Sequence, residues 1–330
     1  MRSFVYERAD SMEIATNSAK ADAVMQFLAG GTTLLDLMKL DVMRPQRVVD
    51  INALGSGPSV TADRQGLHVS AFARMAEVAD HPAVRRDYPV IAQSLQLAAS
   101  AQIRNMASLG GNILQRTRCT YFRDPSWKAC NKRTPGSGCA ALDGVNRAHA
   151  VLGTSAACIA TYAGDLAQAL MALGASVDIV GSNGPRTLAF EDLHQLPGTT
   201  PHVETTLSPG DIITRVDIPA GPWTRRSLYL KIRDRKSYEF ALTSAAVALD
   251  MDGDVVREAR IGLGGVATKP WRAHEAEQAL KGRSLTEDAA TAAARVAFAS
   301  ARPRNGNAFK AELGRRTMVR ALLQAQALKV

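Results

Sequence analysis

Apolar positions recur along this chain in two rhythms, one of period two and one of helical spacing, and their order sketches the fold. Residues 2–8 alternate as a half-buried strand does, and 11–25 carry helical spacing. The short apolar stretch Phe27-Leu28-Ala29 runs into Gly30-Gly31 and Thr32-Thr33, then into Leu34-Leu35-Asp36-Leu37-Met38-Lys39, again at helical spacing. Arg47-Val48-Val49-Asp50-Ile51 is another short strand. Segment 53–66, with Gly55, Gly57, Pro58 and Gly66, reads as a linker or hairpin zone. A strand at 67–70 precedes helices near 72–80 and 83–100. Further on, the pattern predicts a helix over 164–174 and strands at 176–180, 186–190 and 211–218. Pro219-Ala220-Gly221-Pro222 reads as a boundary. Beyond it come strands near 226–234, 240–250 and 254–264, then helices near 271–281, 286–300 and 308–327. Three strands followed by helices predict a small α+β domain after a larger mixed one, so the fold class is α+β.

The chain has 330 residues, 46% of them apolar, more than one small core accommodates and too apolar for disorder. It has no run of apolar residues long enough to span a bilayer. The opening residues, Met1-Arg2-Ser3-Phe4-Val5-Tyr6-Glu7-Arg8, carry charge where an export signal needs an apolar stretch, so no signal is expected here. The formal charge of +9 invites a nucleic-acid reading, but only 5% of residues are aromatic and no motif of a nucleic-acid module is present. The excess is local. Arg116, Arg118, Arg123, Lys128, Lys132, Arg133 and Arg147 face only Asp124 and Asp143 between residues 115 and 149.

The same stretch holds the chemistry. The four cysteines, Cys119, Cys130, Cys139 and Cys158, all fall within 40 residues. Two disulfides, a zinc site or an iron–sulfur cluster would each use four sulfurs. A large chain without an export signal has little use for disulfides. Zinc sites favour short paired spacings, and the gaps here are long. A [4Fe–4S] cluster accepts ligands scattered on a long loop and carries negative charge that nearby basic residues or backbone N–H groups offset. The basic excess and the run Pro135-Gly136-Ser137-Gly138 before Cys139 suit that requirement.

Two glycine pairs mark a second site. A strand–glycine–helix turn at 27–39, with threonines able to cap, directs backbone N–H groups at one spot, as phosphate sites do. Ile103-Arg104-Asn105-Met106-Ala107-Ser108-Leu109-Gly110-Gly111-Asn112-Ile113-Leu114 is the other, with Ser and Asn available to ribose or phosphate oxygens. Two such loops suit a large ligand with a diphosphate in its middle. Neither matches G-x-G-x-x-G or a Walker loop. Asp165 stands near the start of the 164–174 helix, where the dipole favours a carboxylate. The charged run Lys231-Ile232-Arg233-Asp234-Arg235-Lys236-Ser237 lies between two strands and reads as a solvated hairpin tip. No catalytic acid–base or nucleophile constellation stands out. The six histidines form no metal-type pair, and the three tryptophans are isolated.

Leu28-Ala29-Gly30-Gly31-Thr32 with Met38-Lys39, and Arg104-Asn105 through Gly110-Gly111-Asn112-Ile113, resemble the two FAD loops of the xanthine dehydrogenase family's flavin subunit. Cys130-Asn131-Lys132-Arg133 and Pro135-Gly136-Ser137-Gly138-Cys139-Ala140-Ala141-Leu142 resemble the cluster insertion of that family's bacterial aldehyde oxidoreductases. The flavin subunit of 4-hydroxybenzoyl-CoA reductase also carries a cluster insertion.

The resemblance implies an FAD-binding domain of the vanillyl-alcohol-oxidase type over 1–222, with subdomains about 1–57 and 58–222. It implies a [4Fe–4S] insertion at 115–158 and a C-terminal α+β domain with a three-stranded sheet over 223–330. It implies FAD held by Leu28, Ala29, Gly30, Gly31, Thr32, Thr33 and Leu34, and by Arg104, Asn105, Ala107, Ser108, Gly111, Asn112 and Leu114. Asp165 is assigned to the adenosine side, Ile213 and Lys231 to the isoalloxazine, and the four cysteines to the cluster. Thr33 stands where the family often has Asn or Asp, and Ala163-Gly164 where it often has Pro-Ser. The implied role is electron relay. A large molybdenum-cofactor subunit oxidises an aldehyde, a small [2Fe–2S] subunit passes electrons on, and FAD on this chain hands them to an external acceptor other than NAD. A periplasmic heterotrimer, co-exported with a signal-bearing partner, is the implied setting, with a cytoplasmic complex as alternative. A stand-alone flavin oxidase, or a zinc or nucleic-acid module, would be the competing reading.

Overall fold

The computed structural model describes residues 1–21, 25–55 and 57–330; residues 22–24, in the expected helix 11–25, and Ser56, in the expected linker zone, lie outside the described residues. Three strands, β1 (Val5–Arg8), β2 (Met25–Leu28) and β3 (Arg47–Asp50), make a parallel sheet in the order β1-β3-β2. Parallel neighbours need a crossover, and the helices Met12–Ala21 and Leu34–Lys39 supply the two. This lobe is small. Its core is Ala9, Ala15, Met25, Val49 and Ile51, closed by Ile212 from the next lobe.

The second lobe is an antiparallel sheet of β4 (Val60–Ala62), β5 (Gly66–Ser70), β6 (Ser176–Gly181), β7 (Gly184–Ala189) and β8 (Ile212–Pro219), in the order β4-β5-β8-β6-β7. Burial alternates residue by residue along β6, the period of a strand with one face on a core. The helices Met75–Asp80, Pro82–Asp87, Pro89–Gln96 and Leu166–Leu173 share that core with β5, β6 and β8. The C-terminal unit is a second antiparallel sheet, β9 (Ser227–Ile232), β10 (Thr243–Asp252), β11 (Val255–Gly264) and β12 (Trp271–Arg272), in the order β12-β11-β10-β9. The helices His274–Leu280, Glu287–Ala297 and Phe309–Gln326 share its core. Leu166–Leu173 packs against β8 as well as β10 and β11, and all eight of its residues are buried. A helix buried on every side, apolar except for Gln168, belongs between two layers, and this one joins the two large units.

Two expectations change and one holds. The expected helix 83–100 is broken at Tyr88, whose backbone is not helical (φ −135°, ψ 54°). Pro89 follows it, and a residue before proline is pushed out of the helical region. The hairpin expected in the zone 53–66 is present, β4 pairing with β5 and Val60 with Val69. The C-terminal sheet has four strands, because Trp271 and Arg272 pair with Leu263 and Gly262 before the helix starts at His274.

The helix–sheet contact is close at Gly262, where an added methyl group would sit 2.2 Å from the Gln168 carbonyl oxygen. Gly262→Ala is therefore expected to cost about 1–3 kcal/mol by overpacking, read as a lowered Tm. Arg257→Ala, on an exposed position of the same strand, should stay within about 0.5 kcal/mol.

Candidate cofactor site and cysteine cavity

The first glycine loop leaves β2 and turns at Gly31, whose φ of +72° is in the left-handed region open to glycine. Its carbonyls serve the following helix: Gly31 accepts from Leu35 N–H and Thr33 from Leu37 N–H. The N–H groups of Gly30, Gly31, Thr32 and Thr33 find no acceptor among the described residues. Thr33 occupies the position before the helix without making the side-chain cap expected of it. A short row of backbone donors and two threonine hydroxyls is thus left for a ligand.

The second loop is held against the first with no side chain between them. A methyl group added at Gly30 would lie 2.2 Å from the Met106 carbonyl oxygen and 2.8 Å from both Ala107 Cα and Ser108 N. Ladder bonds fix the second loop on the segment after β5: Met75 N–H to Ala107 O, Leu109 N–H to Ala73 O and Gly110 N–H to Ala71 O. Arg74 lashes the lobes together, donating to Met106 O at 2.7 Å and to Asn52 Oδ1 at 3.0 Å. Asn52 in turn donates to Ala29 O at 2.9 Å and to Asp50 Oδ1 at 2.7 Å. Arg74 and Asn52 carry no motif that marks them in sequence.

The 109–114 stretch is not a loop but the short helix Leu109–Ile113, capped by Ser108, whose Oγ accepts from Gly111 N–H at 3.2 Å. Ala107 and Ser108 are buried, Gly111 is exposed, and Asn112 and Leu114 are half-buried. Asn112 Oδ1 is buried without a partner. Arg104 turns away to the Ala98 carbonyl at 2.7 Å, and Asn105 is exposed on the helix Ala101–Met106. Free N–H groups on one loop and an orphaned amide oxygen on the other fit a dinucleotide lying across the seam.

Asp165, Tyr229 and Lys231 form a buried group. Asp165 starts the helix Leu166–Leu173 but does not cap it. Its carboxylate accepts from Tyr229 Oη at 2.6 Å and Lys231 Nζ at 2.8 Å, while Lys231 also donates to Leu97 O at 3.0 Å. Burial pushes the Asp165 carboxyl above its ordinary range, against the pull of Lys231 and Tyr229. Asp165 and Lys231, which the resemblance assigns to the adenosine side and to the flavin ring, are thus hydrogen-bonded to each other. Ile213 is buried on β8, paired with Ile179.

The four cysteines converge. All are free thiols, and all line one small cavity with Phe122, Ala129, Ala140, Ala141 and Ala160. An isolated bridge pairs Cys130 with Cys139. Cys119 and Cys130 share a small core with Leu37 and Phe122; Leu37 lies on the helix that follows the first glycine loop. Burial pushes the Cys119 thiol up to about 11, whereas a hydrogen bond from Cys158 draws Cys139 down to about 6. His149 Nε2 lies 3.2 Å from Cys119 Sγ.

Six of the seven basic residues of the segment are paired with carboxylates or backbone carbonyls, and one of them, Lys132, also lines the cysteine cavity. Arg118 and Arg123 both donate to Asp36, at 2.9 and 2.8 Å. Arg116 and Lys132 both meet Glu204, at 3.0 and 2.9 Å. Arg147 meets Asp234 at 2.8 Å, and Arg133 binds the carbonyls of Tyr121 and Phe122. Arg118 also lies over the Phe240 ring. The run 231–237 is thus a solvated tip only from residue 234 on, since Lys231 is buried. Burial pushes the Glu204 carboxyl up, and Arg116 and Lys132 more than reverse this, leaving it below its ordinary 4.5.

The sequence matches two family models: "FAD binding domain in molybdopterin dehydrogenase" over residues 2–221, and "CO dehydrogenase flavoprotein C-terminal domain" over 228–328. It is 44% identical over 328 residues to the aldehyde oxidoreductase FAD-binding subunit PaoB of Escherichia coli (strain K12), covering 99% of each chain. It is 25% identical to the glyceraldehyde dehydrogenase medium chain of Sulfolobus acidocaldarius, covering 86% of this chain and 83% of the relative. A solved structure of carbon monoxide dehydrogenase from Hydrogenophaga pseudoflava superimposes with a TM-score of 0.76 at 25% identity, over 99% of this chain and 98% of the other.

Two outcomes test the geometry. Gly30→Ala forces the loops apart, and flavin retention, read by absorbance after gel filtration, is expected to weaken ~10-fold or about 1.4 kcal/mol. Gln102→Ala, exposed on the neighbouring helix, should retain flavin as the wild type does. Glu204 stabilises the fold above pH 4.5, its ordinary value, and this contribution is lost as pH falls through its lower folded value. Glu204→Gln should therefore lower the Tm at pH 7 and narrow its gap to wild type below pH 4.

Proposed function

We propose that this chain, which belongs to the FAD-binding family of molybdopterin dehydrogenases, is the flavin-bearing electron-transfer subunit of a molybdenum-containing aldehyde oxidoreductase. The observation that carries the reading is the seam itself. Two glycine loops from different lobes meet backbone to backbone, with unpartnered donors on one and an orphaned acceptor on the other. The full-length similarity to an aldehyde oxidoreductase FAD-binding subunit supports the aldehyde.

FAD, when bound, supplies the exchange between one-electron and two-electron carriers. The chain's residues position it. Gly30, Gly31, Thr32 and Thr33 offer N–H groups to the diphosphate, and Ser108, Gly111 and Asn112 border it from the other lobe. The Asp165–Lys231 pair sets a fixed, buried charge distribution. The partners are a large molybdenum-cofactor subunit and a small [2Fe–2S] subunit, a division that the "medium chain" names of relatives support. The acceptor is external, and the complex works in the periplasm, exported with a signal-bearing partner.

Cys119, Cys130, Cys139 and Cys158 are the ligands of a [4Fe–4S] cluster, which supplies one-electron chemistry. Four sulfurs around one apolar cavity support this, as does their spacing. Each thiolate of a cubane holds its own iron, and here each of the four sulfurs lines one shared cavity.

Anaerobic purification with flavin, iron and zinc analysis tests both cofactors. The expected result is flavin bands on a broad iron–sulfur shoulder, with about four irons per FAD. Zinc without iron would overturn the cluster, and absence of flavin would overturn the relay. Cys139→Ala is expected to lose most of the iron. Reduction of the bound flavin by an aldehyde should occur only in the complex with the partner subunits.

A further inference from the structure

We infer that His149 is a positioning residue for the cluster, donating a hydrogen bond from Nε2 to the sulfur of Cys119; the inference rests on the proposed [4Fe–4S] reading. Its Nε2 is 3.2 Å from Cys119 Sγ. Its Nδ1 is buried with no partner. An iron-bound thiolate has lone pairs and no proton, so the ring nitrogen facing it carries the hydrogen, and the buried Nδ1 is the bare one. Among the described residues His149 is the side chain, other than a cysteine, hydrogen-bonded to one of these sulfurs. The sulfur of Cys158 is met instead by a backbone group, Ala160 N–H at 3.4 Å.

The ring is held from behind. Lys310 is fully buried on the helix Phe309–Gln326, and its Nζ donates to the carbonyls of Ala148 and His149, both at 3.1 Å. Asn307, also fully buried, donates to His149 O at 3.3 Å and Ala150 O at 3.1 Å. Three consecutive carbonyls are thereby pinned by two side chains of the C-terminal domain. The Tyr121 ring packs beside the imidazole, centroids 6.1 Å apart. The cysteines come from the insertion, but the group that orients one of them is fixed by a helix more than 150 residues later. The buried ammonium has no carboxylate partner among the described residues and instead satisfies the Ala148 and His149 carbonyls of the tight 146–150 turn.

A hydrogen bond to a ligating sulfur withdraws negative charge and favours the reduced, more negative cluster, which raises its potential. The test uses the assembled complex with His149→Phe, which keeps a ring against Tyr121 but has no donor, and His149→Gln, which keeps an N–H. Iron content is measured first, then the cluster midpoint by redox titration with electron paramagnetic resonance detection, and the flavin midpoint alongside. His149→Phe is expected to hold iron like the wild type, with the cluster midpoint shifted to lower potential and the flavin midpoint unmoved. His149→Gln should restore most of the shift. An unchanged midpoint in His149→Phe, or equal shifts in both variants, would overturn the inference while leaving the cluster in place. A wild-type chain without iron overturns the cluster reading, and this inference with it. Should His149→Phe fail to fold, a wild-type midpoint in His149→Ala reconstituted with imidazole, against a lowered one without it, is expected; no response to imidazole would overturn the donor role.

Discussion

The site depends on two pieces of backbone that touch with nothing between them. Gly30 has no side chain, and the space that one would fill is occupied by the Met106 carbonyl and the backbone of Ala107 and Ser108. Contact at that distance fixes the angle between the small parallel lobe and the antiparallel one. Free N–H groups then stand on one loop and the orphaned Asn112 amide oxygen on the other. Arg74 and Asn52 hold the geometry from the side, hydrogen-bonded to each other and to the Met106 and Ala29 carbonyls. The polar groups left at the seam are mostly main chain, which suits a cofactor that brings its own reactivity.

The charge distribution serves the same geometry. The insertion is strongly basic in sequence, yet its arginines do not crowd the cysteines. Arg118 and Arg123 close on Asp36, on the first turn after the glycine loop, and hold that carboxyl below its ordinary range against the upward push of burial. Arg116 and Lys132 close on Glu204. A long segment with one four-residue helix, Thr120–Arg123, is thus tied down by two doubly paired carboxylates. The cavity that the sulfurs line is closed by alanines, Tyr121, Phe122, Asn131 and Lys132, and His149 Nε2 meets Cys119 Sγ.

Much of this was legible beforehand. Period-two and helical spacing place most strands and helices within a few residues, because each element buries one face. The failures are local. Pro89 cuts a helix that its apolar spacing would continue. β12 is two residues long, too short for any period to register. The candidate site was legible where residue type is itself the signal: paired glycines and clustered cysteines. Arg74, Asn52, Glu204, His149 and Lys310 were not, since each acts on a group tens of residues away and none belongs to a local pattern. Asp165 shows the same limit. Its position at a helix start suggests a cap, but Tyr229 and Lys231, on a strand of the other domain, capture its carboxylate.

The clasp on Asp36 also bears on how the molecule is made. Leu37 packs on Phe122 and Cys130, and Asp36, its neighbour, takes Arg118 and Arg123. The helix that follows the first glycine loop thus draws its packing and its charge partners from residues that the ribosome delivers some eighty positions later, so the loop and the cysteine segment stand as one unit.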